Sequence, residues 1–223
     1  MIARAGGVTV FSEDFDDIPP YKPKGELPVG VDIISHGEWA KAGSGHRPAY
    51  VNGEVRLSAP YSLGILATPS FEKGARALGF FGITNKENVL VSDGLSLKMA
   101  FQVSNMLDGL SFGIRNAEHK NAALVEMAGN GVLNASFSGV RKELASVEVG
   151  RWYYLEFRMP SDAGSKSKYT VTLYAEDGTT ELASLSGELA QAAGAGALAY
   201  FHVGHSTLGE SVYLDNITAV ENP

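Results

Sequence analysis

Five histidines are the residues best suited to acid, base or metal chemistry: His36, His46, His119, His202 and His205. No two of them form H-E-x-x-H, the helical spacing that sets two imidazoles and a general base around one zinc ion. His202 and His205 do make an H-x-x-H, but Leu198 to Gly204 alternates as a strand, and residues three apart on a strand face opposite ways. That spacing does not build a zinc site. His202 keeps a different use. Alternation sets Tyr200 and His202 on the face opposite Phe201 and Val203, so with the latter two in a core the first two point outward from a sheet. The absence of cysteine removes a thiol nucleophile, a thiolate metal site, an iron–sulfur cluster and a disulfide scaffold.

The elements that carry these residues read as strands. Leu95 to Val103 alternates apolar and polar residues, as do Leu110 to Arg115 and Leu133 to Ser138, the last after a turn signal at Gly129, Asn130 and Gly131; between them Ala123, Val125 and Met127 alternate with Leu124 and Glu126. Trp152 to Met159 is the most apolar strand, with Trp152 assigned to the core. Tyr169 to Ala175 follows, then a tight Asp177-Gly178 turn into Thr179 to Leu185, and finally Leu198 to Gly204 and Val212 to Val220. The alanine-rich stretch 187–199 carries Gly194 and Gly196, which limit helix to a turn or two. Prolines at 19, 20, 23 and 28 forbid a central strand between Asp14 and Gly30. With 26 glycines and 19% charged residues in 223, the composition suits many turns between short strands. The expected architecture is all-β, residues 1–223 forming one antiparallel sandwich of about a dozen strands.

Charge and hydropathy narrow the partners. A net charge of -7, from 18 basic and 25 acidic residues, repels a polyanion, so nucleic acid is excluded as a partner. No apolar run approaches the ~20 residues that span a bilayer, which excludes membrane insertion by a helix. The first dozen residues carry one arginine and a short apolar stretch without the h-region of a signal peptide.

Two segments at the chain ends carry a family likeness. VFSEDFDD at residues 10–17 and SVYLDNITAVEN at 211–222, with GRWYYLEFRM and YTVTLYAEDG between them, resemble the concanavalin A-like lectin/glucanase superfamily, including laminarinase-type glycosidases and LamG-like modules. The resemblance implies a jelly roll whose early strand lies beside the last one. It also implies a structural calcium ion at the joined ends, with Glu13, Asp14 and Asp215 as oxygen ligands; the alternative for Asp215 is a carboxylate that accepts a backbone hydrogen bond at a strand edge. On the sheet that this superfamily curves into a groove, sugars stack on aromatic rings and hydrogen-bond to polar side chains. Parity places Arg115, Glu126, Asn134, Tyr200 and His202 there, with Trp39, His36 and Arg47 from the preceding region. Each has a plainer alternative: Trp39 in a core or over a sheet edge, Arg115 paired with a carboxylate, Asn134 at a turn.

The catalytic signatures of the resembled families are incomplete. A laminarinase-type hydrolase carries E-x-D-x-x-E, two carboxylates about 5 Å apart on one face, and no glutamate here is followed two residues later by aspartate. AYFHVGH at 199–205 is similar to the Y-F-K-x-G-x-Y strand of alginate lyases, but His202 replaces the lysine and the partner motifs R-x-E-L-R and Q-I-H are missing. The expected function is therefore a non-catalytic carbohydrate-binding module that recognises a polysaccharide or glycan on the concave sheet face, secreted or at the cell surface or periplasm, as a whole protein or one module of a longer one. Two alternatives stand beside it. One is a polysaccharide lyase or hydrolase with an atypical site around Tyr200, His202 and Arg115; the other is a LamG-type adhesion module, which requires an exposed apolar patch.

Overall fold

The computed structural model describes residues 8–14, 22–24, 27–29, 39–42, 49–52, 55–58, 62–65, 81–85, 89–90, 94–106, 110–116, 120–160, 167–189, 197–205 and 212–221. Within them every regular element is a strand: β1 (Val8–Glu13), β2 (Lys22–Lys24), β3 (Leu27–Val29), β4 (Trp39–Ala42), β5 (Ala49–Asn52), β6 (Ser62–Ile65), β7 (Phe81–Asn85), β8 (Val89–Leu90) and β9 (Leu95–Val103), then β10 (Ser111–Asn116), β11 (Asn121–Met127), β12 (Val132–Phe137), β13 (Val140–Ser146), β14 (Tyr153–Met159), β15 (Lys168–Tyr174), β16 (Glu181–Glu188), β17 (Ala197–His205) and β18 (Val212–Glu221). Eighteen strands among the described residues exceed the expected dozen, chiefly because the loosely patterned region before residue 90 contributes eight short ones.

These strands form two eight-stranded antiparallel sheets. One runs β16-β15-β14-β9-β18-β6-β5 with β1 also paired to β18; the other runs β13-β12-β11-β10-β17-β7-β4 with β8 also paired to β17. Two of the prolines of the acidic N-terminal stretch, Pro23 and Pro28, stand opposite each other in a separate ribbon of β2 with β3; Pro19 and Pro20 lie outside the described residues. Neither large sheet has to lose a ladder bond to Pro23 or Pro28.

Alternation selects the core. From β9, Leu95, Leu97, Met99, Phe101 and Val103 are buried, and from the facing sheet Phe112, Ile114, Val125, Leu133, Ala135 and Phe137 meet them. Phe101 of the first sheet packs on Phe112 of the second with ring centroids 4.7 Å apart, and Phe137 packs on Tyr169 at 4.9 Å. The Tyr169 hydroxyl donates to the Ser136 carbonyl across the same gap, and burial pushes its phenol pKa upward. Trp152 is buried as expected, at 5% exposure.

The sandwich tightens where β16 approaches β12. A Cβ built on Gly187 would stand 2.7 Å from the Phe137 Cβ and closer still to its ring. Gly→Ala in a strand ordinarily gains a few tenths of a kcal/mol through the unfolded state. Here the sign reverses, because the ring is wedged against Tyr169: Gly187→Ala is expected to destabilise the chain by about 1–3 kcal/mol in urea unfolding. The hairpin leading into β16 is set by Asp177, whose Oδ1 accepts the N–H groups of Thr179 and Thr180 at 2.7 Å each. With the Thr180 hydroxyl as a further donor, these bonds hold its carboxyl down to about 2.

Candidate functional site

On the sheet that contains β17, residues whose neighbours in sequence fill the core turn the other way. Phe112 and Ile114 are buried while Arg115 is half-buried; Val125 and Met127 are buried while Glu126 is half-buried; Leu133 and Ala135 are buried while Asn134 is half-buried. Strand register then sets which of them are neighbours. Arg115 is the partner of Tyr200, and His202 is the partner of Gly113, two residues along the same pair of strands. Antiparallel partners stand roughly 4.5–5.5 Å apart at Cα. On the next strands, Glu126 is opposite both Ser111 and Asn134. Five positions expected to share one face therefore fall within four adjacent strands, β17, β10, β11 and β12.

The polar contacts on this face are partly internal. Arg115 Nε donates to Asn121 Oδ1 at 3.1 Å, which fixes the plane of its guanidinium, and partial burial lowers the guanidinium pKa. Glu126 pairs with Arg141 of β13, whose side chain crosses over β12 to reach it. Asn134 Nδ2 donates to the Val132 carbonyl at 3.3 Å. Nothing in the sequence singles out Asn121 or Arg141. Asn121 stands where the β10–β11 register shifts, beside Ile114 and Arg115, and Arg141 lies on a strand without an apolar rhythm.

The remaining expected groove residues are placed by backbone alone or not at all. Trp39 pairs with Asn85, whereas the position aligned with His202 through Thr84 is Ala40. Register thus gives Ala40, not Trp39, the place nearest His202 on β4. His36 and Arg47 lie outside the described residues, as do the side chains of Trp39, Tyr200, His202 and Glu13.

A second polar cluster occupies the outer face of the other sheet and is satisfied by its own members. Glu156, only 5% exposed, accepts from Ser96 Oγ at 2.6 Å, Tyr174 Oη at 2.7 Å and Arg158 Nε at 3.1 Å. Burial alone would raise its carboxyl pKa; the three donors and the Arg158 charge outweigh that and hold it below the usual value. Lys98 lies between two rings, 4.2 Å from the Tyr174 centroid and 5.4 Å from that of Tyr154, and donates to the Gly178 carbonyl. Desolvation lowers its pKa. Such a closed network specifies packing and leaves little for a ligand.

The chain ends meet as expected, since β1 pairs with β18. The calcium expectation is tested by the donor set around Asp215, which is fully buried. Its Oδ2 accepts the N–H groups of Leu57 and Ser58 at 3.0 Å each, and its Oδ1 accepts the Ser58 hydroxyl at 3.1 Å and the Asn216 N–H at 2.8 Å. A carboxylate has about four lone-pair sites, and all are engaged by hydrogen-bond donors, which repel a cation. Burial raises the Asp215 carboxyl pKa against the pull of the donors from Ser58, Leu57 and Asn216. Asp14 is exposed, and among the described residues no group of three or more histidine or carboxylate side chains could hold a metal. The described residues do not fit a calcium ion ligated by Asp215; the alternative role, acceptor of backbone hydrogen bonds, is what they build.

No protein-family model and no curated protein sequence matches the chain. Solved structures do. A sialidase superimposes over 92% of this chain with a TM-score of 0.57 at 10% identity, the match spanning 19% of that longer protein. The marine PL-14 alginate lyase from Aplysia kurodai superimposes over 96% of this chain and 99% of its own, with a TM-score of 0.56 at 12% identity. The seed lectin of Lotus tetragonolobus covers 97% and 100%, with a TM-score of 0.54 at 12% identity. Two antiparallel sheets sharing one apolar core, with the first described strand paired to the last, give this chain the concanavalin A-like jelly-roll fold.

Proposed function

We propose that the chain is a non-catalytic carbohydrate-binding module that holds a polysaccharide or glycan on the outer face of the β13-to-β4 sheet and works outside the cytoplasm. The observation that carries this reading is the register that makes Arg115 the partner of Tyr200 and sets His202 two residues along the same strand. A guanidinium with a fixed plane offers paired donors to sugar hydroxyls or carboxylates, and an aromatic position beside it suits the C–H face of a pyranose. Glu126, Asn134 and Arg141 extend the same face with acceptors and donors. The likeness to a lectin at 12% identity agrees with this use of the fold without fixing it.

Affinity electrophoresis on a panel of neutral and acidic polysaccharides tests the reading. At least one polysaccharide is expected to retard the protein, and Arg115→Ala is expected to weaken that binding about tenfold or more, the loss of one or two charge-assisted hydrogen bonds. Absence of retardation on every polysaccharide would overturn it.

The same triad favours a second reading, a polysaccharide lyase. Arg115 would neutralise a uronate carboxylate while Tyr200 or His202 removes the C5 proton; the freed electron pair forms the C4–C5 double bond as the C4–O glycosidic bond breaks, and the leaving oxygen takes up a proton and departs with the neighbouring sugar. Ultraviolet absorbance from unsaturated uronates, present with the parent and lost in His202→Ala, separates this from binding alone. The adhesion-module reading calls for a contiguous apolar patch. The exposed large apolar residues among those described are Val140, Val149 and Leu182, one on each of three separate segments.

A further inference from the structure

The side of β18 opposite β9 changes partner part way along. β6 covers Val212 to Leu214 and β1 covers Ile217 to Glu221, which leaves Asp215 and Asn216 at the break. There the ladder to β9 also slips, between Asp215 and Thr218, and Asn216 turns to a φ of 46°. A break of this kind exposes backbone groups inside the sheet and needs a device to close it. The segment Val55–Ser58, from the connection between β5 and β6, supplies it by presenting two backbone N–H groups and a hydroxyl to Asp215. The Asn216 N–H completes the set, and Asn216 Nδ2 donates to Tyr154 Oη at 3.2 Å, tying the bulge to β14.

We infer that Asp215 is a metal-free clip: its carboxylate, ringed by donors, joins the 55–58 segment to the bulged last strand and does the cross-linking that a calcium ion would otherwise do at the chain ends. The clip satisfies half-buried N–H groups of Leu57, Ser58 and Asn216, and these N–H groups in turn compensate the charge of the buried carboxylate. Its contribution needs no divalent ion.

Thermal melting of the intact chain tests this with calcium chloride and with EDTA as the probes. The melting temperature is expected to be the same in both. Asp215→Ala should lower it by roughly 6–12 °C, and Asp215→Asn, which keeps one acceptor oxygen, by less. Should Asp215→Ala fail to fold, Ser58→Ala serves instead: it removes one donor, should cause a small drop, and should leave melting indifferent to calcium. A rise in melting temperature with calcium that disappears in Asp215→Asn would overturn the inference, as would an Asp215→Ala protein as stable as the parent. A calcium response that persists in Asp215→Asn assigns the ion to other residues and upholds the clip.

Discussion

Phe101→Ala is expected to destabilise the chain by about 3–5 kcal/mol, as much as the truncation of a buried aromatic ring ordinarily costs. Phe101 is fully buried at the centre of the contact between the sheets, 4.7 Å from the Phe112 ring and 5.9 Å from that of Tyr153. Its backbone stands between Tyr153 on β14 and Leu214 on β18, so the ring hangs from a strand held on both sides. Such a strand cannot shift inward to fill the void, and the cavity term adds to the lost transfer energy. Urea titration should show a lower midpoint with an unchanged slope, the mark of lost stability without a change in the surface exposed. Phe101→Leu should recover most of the loss. Phe101→Ala with Phe112→Ala should cost less than the two single losses added, because the second truncation removes contacts the first has already broken.

Glu156→Ala is expected to cost about 2–4 kcal/mol even though it lies on the outer face of a sheet. The substitution strands the hydroxyls of Ser96 and Tyr174 and takes a negative charge away from Lys98 and Arg158. Glu156→Gln should fall between the variant and the parent, since an amide accepts from the hydroxyls without the charge. The pH dependence has a definite sign. The folded carboxyl titrates below its ordinary 4.5, so the unfolded chain binds the proton more tightly, and this part of the stability is present above the unfolded value and fades as pH falls through the lower folded one. Denaturation midpoints across that acid range should fall more steeply for the parent than for Glu156→Gln. Equal slopes would show that the network does not hold the carboxylate.

Legibility in the sequence follows burial. β9, β11 and β12 alternate between buried and half-buried residues almost without exception, and the sequences of β9 and β12 largely alternate apolar and polar to match, whereas β11 turns the apolar Leu124 outward. The same rhythm by itself puts Arg115, Glu126 and Asn134 on one face. β13 has no such rhythm: of VRKELAS only Leu144 is buried, because the strand closes an edge and faces water on most sides. The hairpin signal at Asp177-Gly178 is visible, yet β16 begins at Glu181, since Asp177 spends two residues on its own turn before pairing starts. Asp215 stands out in the sequence for its carboxylate and its neighbours at the chain ends. Besides the adjacent Asn216 N–H, its partners Ser58 and Leu57 lie 157 and 158 residues away in a segment without any pattern, and no spacing rule reaches that far. Trp39 is a groove candidate by residue type, and only the register with β7 shows that Ala40 aligns with His202.

Pairing of β1 with β18 also sets an order of assembly. The strands β10 to β13 each pair with the next in sequence, as do β14 to β16, so both runs can zip through short hairpins as soon as they are made. β1 must wait for a partner that begins at Val212, and β9 lacks one of its two neighbours until the same strand arrives. The entropy of closing so long a loop grows only with the logarithm of its length, so the final state loses little by it. The rate suffers more, because contacts far apart in sequence form late. Until β18 docks, β9 presents an open, apolar edge, and the interval in which this protein is most prone to stick to its neighbours is the wait for its own last strand.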